Sequence, residues 1–269
     1  MKILTAIFNF YLQSSIHVSL AVTSLAVISV MQIGFVPEPL VLIFIFLGTI
    51  VGYNFVKYAG VSNRHNLKIT LNVNLIRGFT GLCFLGLIYF GRLLPIDVLI
   101  TAAMFGFLTL LYAVPLYKNR NLRSLSGIKI FIIALVWMGV SVLVPLTYHN
   151  LSFNLRVFYQ CLEIFLFVIV LTLPFEIRDL KYDENKLGTI PQKLGVKRSK
   201  WLGTVLLMLA AVVAFLQNYR SDLGLFITLG IFLLTLILLW AAKKDQGKYY
   251  AAFLVESVPI VWLILLLNF

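Results

Sequence analysis

Nine stretches of roughly 20 apolar residues constrain this chain more than any other feature. A bilayer core takes about 20 residues of helix to cross, and helical backbone pairs its own N–H and C=O groups where no water is present. The stretches run from Ser14 to Ile33, Pro39 to Tyr58, Ile69 to Phe90, Ile96 to Tyr117, Ile128 to Tyr148, Val157 to Ile177, Trp201 to Gln217, Leu223 to Ala242 and Tyr249 to Leu267. Gly60, Gly91 with Pro95, Asn119 with Asn121, Asn150, Gly188, Gly195, Asn218 with Ser221, and Gly247 punctuate the connections, as helix breakers do. With 61% hydrophobic and 12% charged residues, the chain has too few charges to cover a water-facing surface, for which about 25% is usual. A soluble domain, a disordered region and a secreted disulfide scaffold are thereby excluded. The expected fold is all-α, a single integral membrane domain over residues 1–269 with nine transmembrane helices.

The net charge of +12 follows from topology. Of the 22 Lys and Arg, 19 fall on one side of the nine spans and only Arg92, Arg156 and Arg220 on the other. Basic residues mark the cytoplasmic side, so the N-terminus is expected inside and the C-terminus outside, in a multi-pass protein of a bacterial inner membrane. No nucleic-acid partner is needed to explain the charge. Lys2 and the apolar run to Phe10 resemble the start of a signal peptide, but no small-residue cleavage pattern follows, and the run is read as mature chain.

Cys83 and Cys161 fall inside spans, where a thiol acts as a small hydrophobe, and His17, His65 and His149 lack ligand spacing. The polar residues that carry chemistry concentrate after the sixth span. Residues 174–195 hold four of the ten acidic side chains. If the sixth helix continues there, Glu176, Asp179 and Asp183 share one face at the membrane boundary. Carboxylates repeated on one face suit Mg²⁺, which keeps several waters and is completed by substrate phosphates. Arg178, Lys181, Lys186 and Lys193 would add cationic contacts to a phosphate. A solvated, salt-bridged connection is the plainer reading of the same composition.

The order of these residues adds a resemblance. Arg178-Asp179-x-x-x-Asp183, followed by Gly188-Thr189 and Leu194-Gly195, resembles the second aspartate motif of the UbiA-type intramembrane prenyltransferases. Tyr112-Ala-Val-Pro115-Leu-Tyr-Lys118-Asn-Arg120 resembles that family's Tyr-x-x-Pro-x-x-Lys-Arg segment, and nine helices is the family number. The resemblance implies a UbiA-like bundle that joins an isoprenoid diphosphate to an aromatic or other acceptor, with Mg²⁺ as cofactor and the lipid bilayer as surroundings. On this chain it implies Asp179 and Asp183 as metal ligands and catalytic groups. The substrate-binding candidates are Asn54, Tyr58, Tyr112, Lys118, Arg120, Arg178, Lys181, Tyr182 and Lys186. Helices one to four and five to eight are expected to be related units, with the ninth added. Tyr53, Tyr112, Tyr117, Phe175 and Tyr182 present π-faces suited to a carbocation, or form an interfacial aromatic belt.

The chain departs from the family at the end of the second span. Where the first aspartate motif is expected, Asn54 is kept, but the aspartates have become Phe55, Tyr58 and Ser62, and no Asp or Glu occurs from 39 to 96. Lys57 lies in that turn. Its ammonium is expected to occupy the region of a second metal and contact diphosphate as a point charge, or to snorkel at a helix end. The degenerate motif also supports a non-catalytic relative that binds a polyprenyl lipid or a partner protein. A small transporter fits less well, since paired Gly/Pro interruptions at the midplane are lacking. Glu163 and Glu256 fall within spans and are read as protonated, hydrogen-bonded residues.

Overall fold

The computed structural model describes residues 2–58, 73–114, 127–181, 188–217 and 222–269, and all regular structure among them is helical. In chain order the helices are α1 Lys2–Gln13, α2 Ile16–Ile33, α3 Pro39–Tyr58, α4 Val73–Gly91, α5 Ile96–Ala113, α6 Lys129–Tyr148, α7 Leu155–Asp179, α8 Ile190–Leu194, α9 Val196–Leu216, α10 Asp222–Ala241 and α11 Tyr250–Asn268. Nine of these, α2–α7 and α9–α11, are long and apolar enough to cross a membrane. The chain is an integral, multi-pass membrane protein.

The boundaries shift for local reasons. Helix α7 starts two residues earlier than the apolar run because Asn154 caps it, its Oδ1 accepting from the Val157 amide at 3.0 Å. It stops at Asp179, with Leu180 and Lys181 in a turn, so the expected continuation through Asp183 leaves the described helix. Helix α9 begins at Val196, directly after Gly195, whose φ of 79° only glycine adopts easily. Helix α1 is the element that counting apolar runs misses, because its 12 residues fall short of a bilayer. Its Ile3, Leu4 and Ile7 are exposed, while Phe8 packs edge-on against Tyr249 and Phe253 of the last span's start. That pattern is an amphipathic helix lying along the bundle.

Two spans form the centre. The central windows of α2 and α7 are each 72% buried, against 11% for α4. Helix α2 reaches this position with small residues: Ser19, Ala21, Ser24, Ala26 and Ser29 are all buried and let neighbouring backbones approach closely. Helix α7 contributes Phe167, whose ring meets Trp262 of α11 edge-on at 5.3 Å and Phe232 of α10 at 5.9 Å. Association within lipid has little hydrophobic drive, so such dispersion contacts and close fits hold the bundle. Two π-turns interrupt the spans, Gly139–Leu143 in α6 and Tyr250–Val255 in α11, and insertions of this kind re-aim the residues that follow. The second immediately precedes Glu256.

Candidate functional site

The carboxyl end of α3, the carboxyl end of α7 and the amino end of α11 lie on the same, basic face. At α3, the side chains of Asn54, Lys57 and Tyr58 turn toward the corner between α1 and α2. Ser15 holds that corner with φ 64°, a left-handed conformation uncommon for a residue with a Cβ. Its Oγ accepts from Lys57 Nζ at 2.8 Å and donates to Asn54 Oδ1 at 2.7 Å. Asn54 Nδ2 donates to the Ser14 carbonyl at 3.0 Å and to Thr80 Oγ1 at 2.8 Å. The Tyr58 hydroxyl donates to the Gln13 carbonyl at 3.0 Å. Asn54 is buried, and its amide binds the chain's own residues 14, 15 and 80.

Lys57 is different. Its side chain is exposed at the carboxyl end of α3. Tyr53, one turn back, places its ring 5.9 Å from the ammonium, and Trp137 Nε1 of α6 donates to the Tyr53 hydroxyl. Tyr112 of α5 is buried within electrostatic range of that phenol. Glu256, just after the π-turn of α11, is half-buried and lies within electrostatic range of Lys57 and Arg178. Through it the ends of α3, α7 and α11 stand near one another.

Next to Glu256 the chain is locked by a histidine. His17 Nε2 donates to the Phe253 carbonyl at 3.1 Å, and its Nδ1 lies 2.6 Å from the Tyr11 hydroxyl. The Ser257 hydroxyl donates to the same carbonyl at 2.7 Å. Burial raises the Tyr11 phenol above its usual value, and the charge of Glu256 pushes it the same way.

At α7, Asp179 Oδ1 accepts from Arg178 Nε at 2.8 Å; the pair keeps about a quarter of its side-chain surface exposed, and Arg178 also lies 5.3 Å over the Phe175 ring. Lys181 forms an ion pair with Asp245, and Gln246 Nε2 donates to the Pro174 carbonyl at 3.1 Å. These bonds fasten the carboxyl end of α7 to the α10–α11 connection. Glu176 is buried, whereas Asp179 is not. Gly188-Thr189 and Leu194-Gly195 bound α8: Gly188 has φ 54°, Gln192 Oε1 accepts from the Thr189 amide at 3.1 Å, and Gly195 ends the helix.

Asp183, Tyr182, Lys186, Lys118 and Arg120 lie outside the described residues. Among the described residues no three His, Cys, Asp or Glu side chains gather as a metal site. Asp179 alone, with Oδ1 engaged by Arg178, suits at most one bond to a hard cation that takes its other ligands from elsewhere. Apolar periodicity gave no sign of Ser15, His17 or the placement of Glu256. The Ser14-Ser15 pair before the first span and an acidic residue inside the last were the available signals.

No family model and no curated protein matches the sequence. A solved structure described as a digeranylgeranylglyceryl phosphate synthase in membranes superimposes with a TM-score of 0.55 at 18% identity, covering 97% of this chain and 96% of that one. The chain shares the fold of that membrane prenyltransferase over nearly its whole length.

Proposed function

We propose that the chain binds an isoprenoid diphosphate at the basic, cytoplasmic mouth of the bundle and transfers its isoprenoid group to an aromatic or other acceptor. The observation that carries this reading is that two cations from different spans, Lys57 and Arg178, lie within electrostatic range of Glu256 on the basic face, in a chain whose fold matches that of the solved synthase. As the carbon–oxygen bond of an allylic diphosphate breaks, negative charge grows on the leaving group, and fixed cations in a dry site stabilise it. Before substrate arrives, Ser15 holds Lys57 and Asp179 holds Arg178, with Glu256 in electrostatic range of both. Diphosphate then competes with the resident acids for these cations. The rings of Tyr53 and Tyr112 line the way inward, where an electron-rich face steadies a cationic carbon. Asp179, with Asp183, would hold Mg²⁺, whose chemistry when bound is to neutralise the diphosphate.

A second reading is favoured by the tethers on the degenerate motif. Asn54, Lys57 and Tyr58 are bonded to residues 13–15, which suits a relative that holds a polyprenyl lipid without turning it over. Membranes containing the protein, incubated with radiolabelled isoprenoid diphosphates, candidate acceptors and Mg²⁺, separate the two. Product that disappears in Asp183→Ala and falls in Lys57→Ala supports transfer. Saturable binding with no product supports the second reading, and restored turnover in a Phe55→Asp, Tyr58→Asp double variant would locate the defect in the first motif.

A further inference from the structure

On the face opposite the basic loops, the bundle carries a second polar site. Arg156, Gln160 and Glu163 stand on one stripe of α7. Arg156 Nη2 donates to the Gln32 carbonyl at 3.0 Å, and Gln160 Nε2 donates to Gln32 Oε1 at 2.7 Å. Gln217, at the end of α9, brings its side-chain amide between Gln160 and Glu163, and turned with its nitrogen toward Glu163 it donates to Oε2 at 2.9 Å while its oxygen accepts from the Gln160 backbone amide at 2.8 Å. Gln32, Gln160, Glu163 and Gln217 are all buried. In front of this network lies a cavity of about 310 Å³ lined by Leu155, Arg156, Tyr159, Leu216 and Gln217. Glu163 does not line it, because the Gln217 amide stands between.

The geometry points to a binding site for the phosphate of an anionic phospholipid in the leaflet on that face. Arg156 is one of three basic residues on this side, and a guanidinium carries five N–H donors in a fork that matches phosphate oxygens. One of its nitrogens is fixed by Gln32, which holds the fork at the cavity wall. Arg156 also stands in the first turn of a 25-residue helix, where the helix dipole favours an anion. The Asn154 side chain satisfies the Val157 amide, and the amides of Leu155 and Arg156 precede the first helical bond. Tyr159 adds a hydroxyl, and Leu155 and Leu216 make the remaining wall apolar. The cavity's lining comes from the start of α7 and the end of α9, the ends of two spans, and Tyr159 is a residue type enriched at the headgroup level. The volume equals about ten waters at roughly 30 Å³ each. That admits a phosphate with its glycerol and leaves the acyl chains in the bilayer.

Native mass spectrometry of the detergent-purified full chain tests this, with phosphatidylglycerol and phosphatidylcholine as probes. The expected result is one saturable phosphatidylglycerol bound with about tenfold preference over phosphatidylcholine. The preference should be lost in Arg156→Gln, kept in part in Arg156→Lys, and lost in Leu216→Trp, which fills the cavity without removing a polar bond. Equal binding of the two lipids, or unchanged preference in a monodisperse Arg156→Gln and in Leu216→Trp, overturns the proposal. Loss of the preference in Lys57→Ala moves the lipid to the basic mouth and overturns it as well. Displacement of the lipid by millimolar inorganic phosphate would assign the site to the free ion and overturn the lipid assignment.

Discussion

The Lys57 ammonium is tied to the Ser15 hydroxyl at 2.8 Å across 42 positions of sequence. The same hydroxyl donates to Asn54, so one side chain at the α1–α2 corner holds two polar residues of the α3 carboxyl end. The first half of the candidate cradle is therefore shaped by the chain's own amino-terminal segment.

Replacing Ser15 isolates that tether. Ser15→Gly removes the hydroxyl while relieving a backbone held at φ 64°, and the two effects, each about 1 kcal/mol, nearly cancel in stability. Ser15→Val loses the hydroxyl and adds a β-branched side chain to a left-handed residue, for a cost of about 2–3 kcal/mol. Thermal unfolding in detergent should rank them wild type ≈ Gly > Val, and the glycine variant should bind isoprenoid diphosphate more tightly because Lys57 is released. Weaker binding in Ser15→Gly would show that the tether positions the lysine productively instead.

Asp179→Asn separates chemistry from stability. Its ion pair with Arg178 is about a quarter exposed, and exposed pairs contribute about 0–1 kcal/mol. The melting temperature should barely move while Mg²⁺-dependent turnover is lost. Retained turnover at an unchanged melting temperature would remove Asp179 from the mechanism.

Glu256→Gln tests the competition between diphosphate and a resident acid. Without the acid, Lys57 loses an electrostatic neighbour while Arg178 keeps its pair with Asp179, so the ligand-free protein should change in stability by at most about 1 kcal/mol. Affinity for diphosphate should rise several-fold, because the anion no longer displaces a resident one. A fall in affinity measured by filter binding would contradict this.

Gly139 in the α6 π-turn sits against Phe105 of α5, where an added Cβ would overlap the ring. Phe105 is buried and has little room to swing away. Gly139→Ala should cost about 1–3 kcal/mol, and a Phe105→Leu companion should recover part of it. Absence of that rescue would mean the strain lies in the π-turn itself.

The sequence determined the membrane class, the nine spans to within a few residues and the helix-ending glycines, because a bilayer enforces span length and a positive φ enforces residue type. It did not determine which spans are central. Helix α4 is 11% buried and α7 72%, yet both read as continuous apolar runs. In lipid, the face that packs on protein and the face that meets acyl chains are equally greasy, so periodicity carries little information about packing. Only the tertiary structure decided that Glu256 lies within electrostatic range of Lys57 and Arg178 and that Ser15 reaches Lys57. The same holds for the cavity beside Arg156, assembled from helix ends that are adjacent only after the bundle has closed.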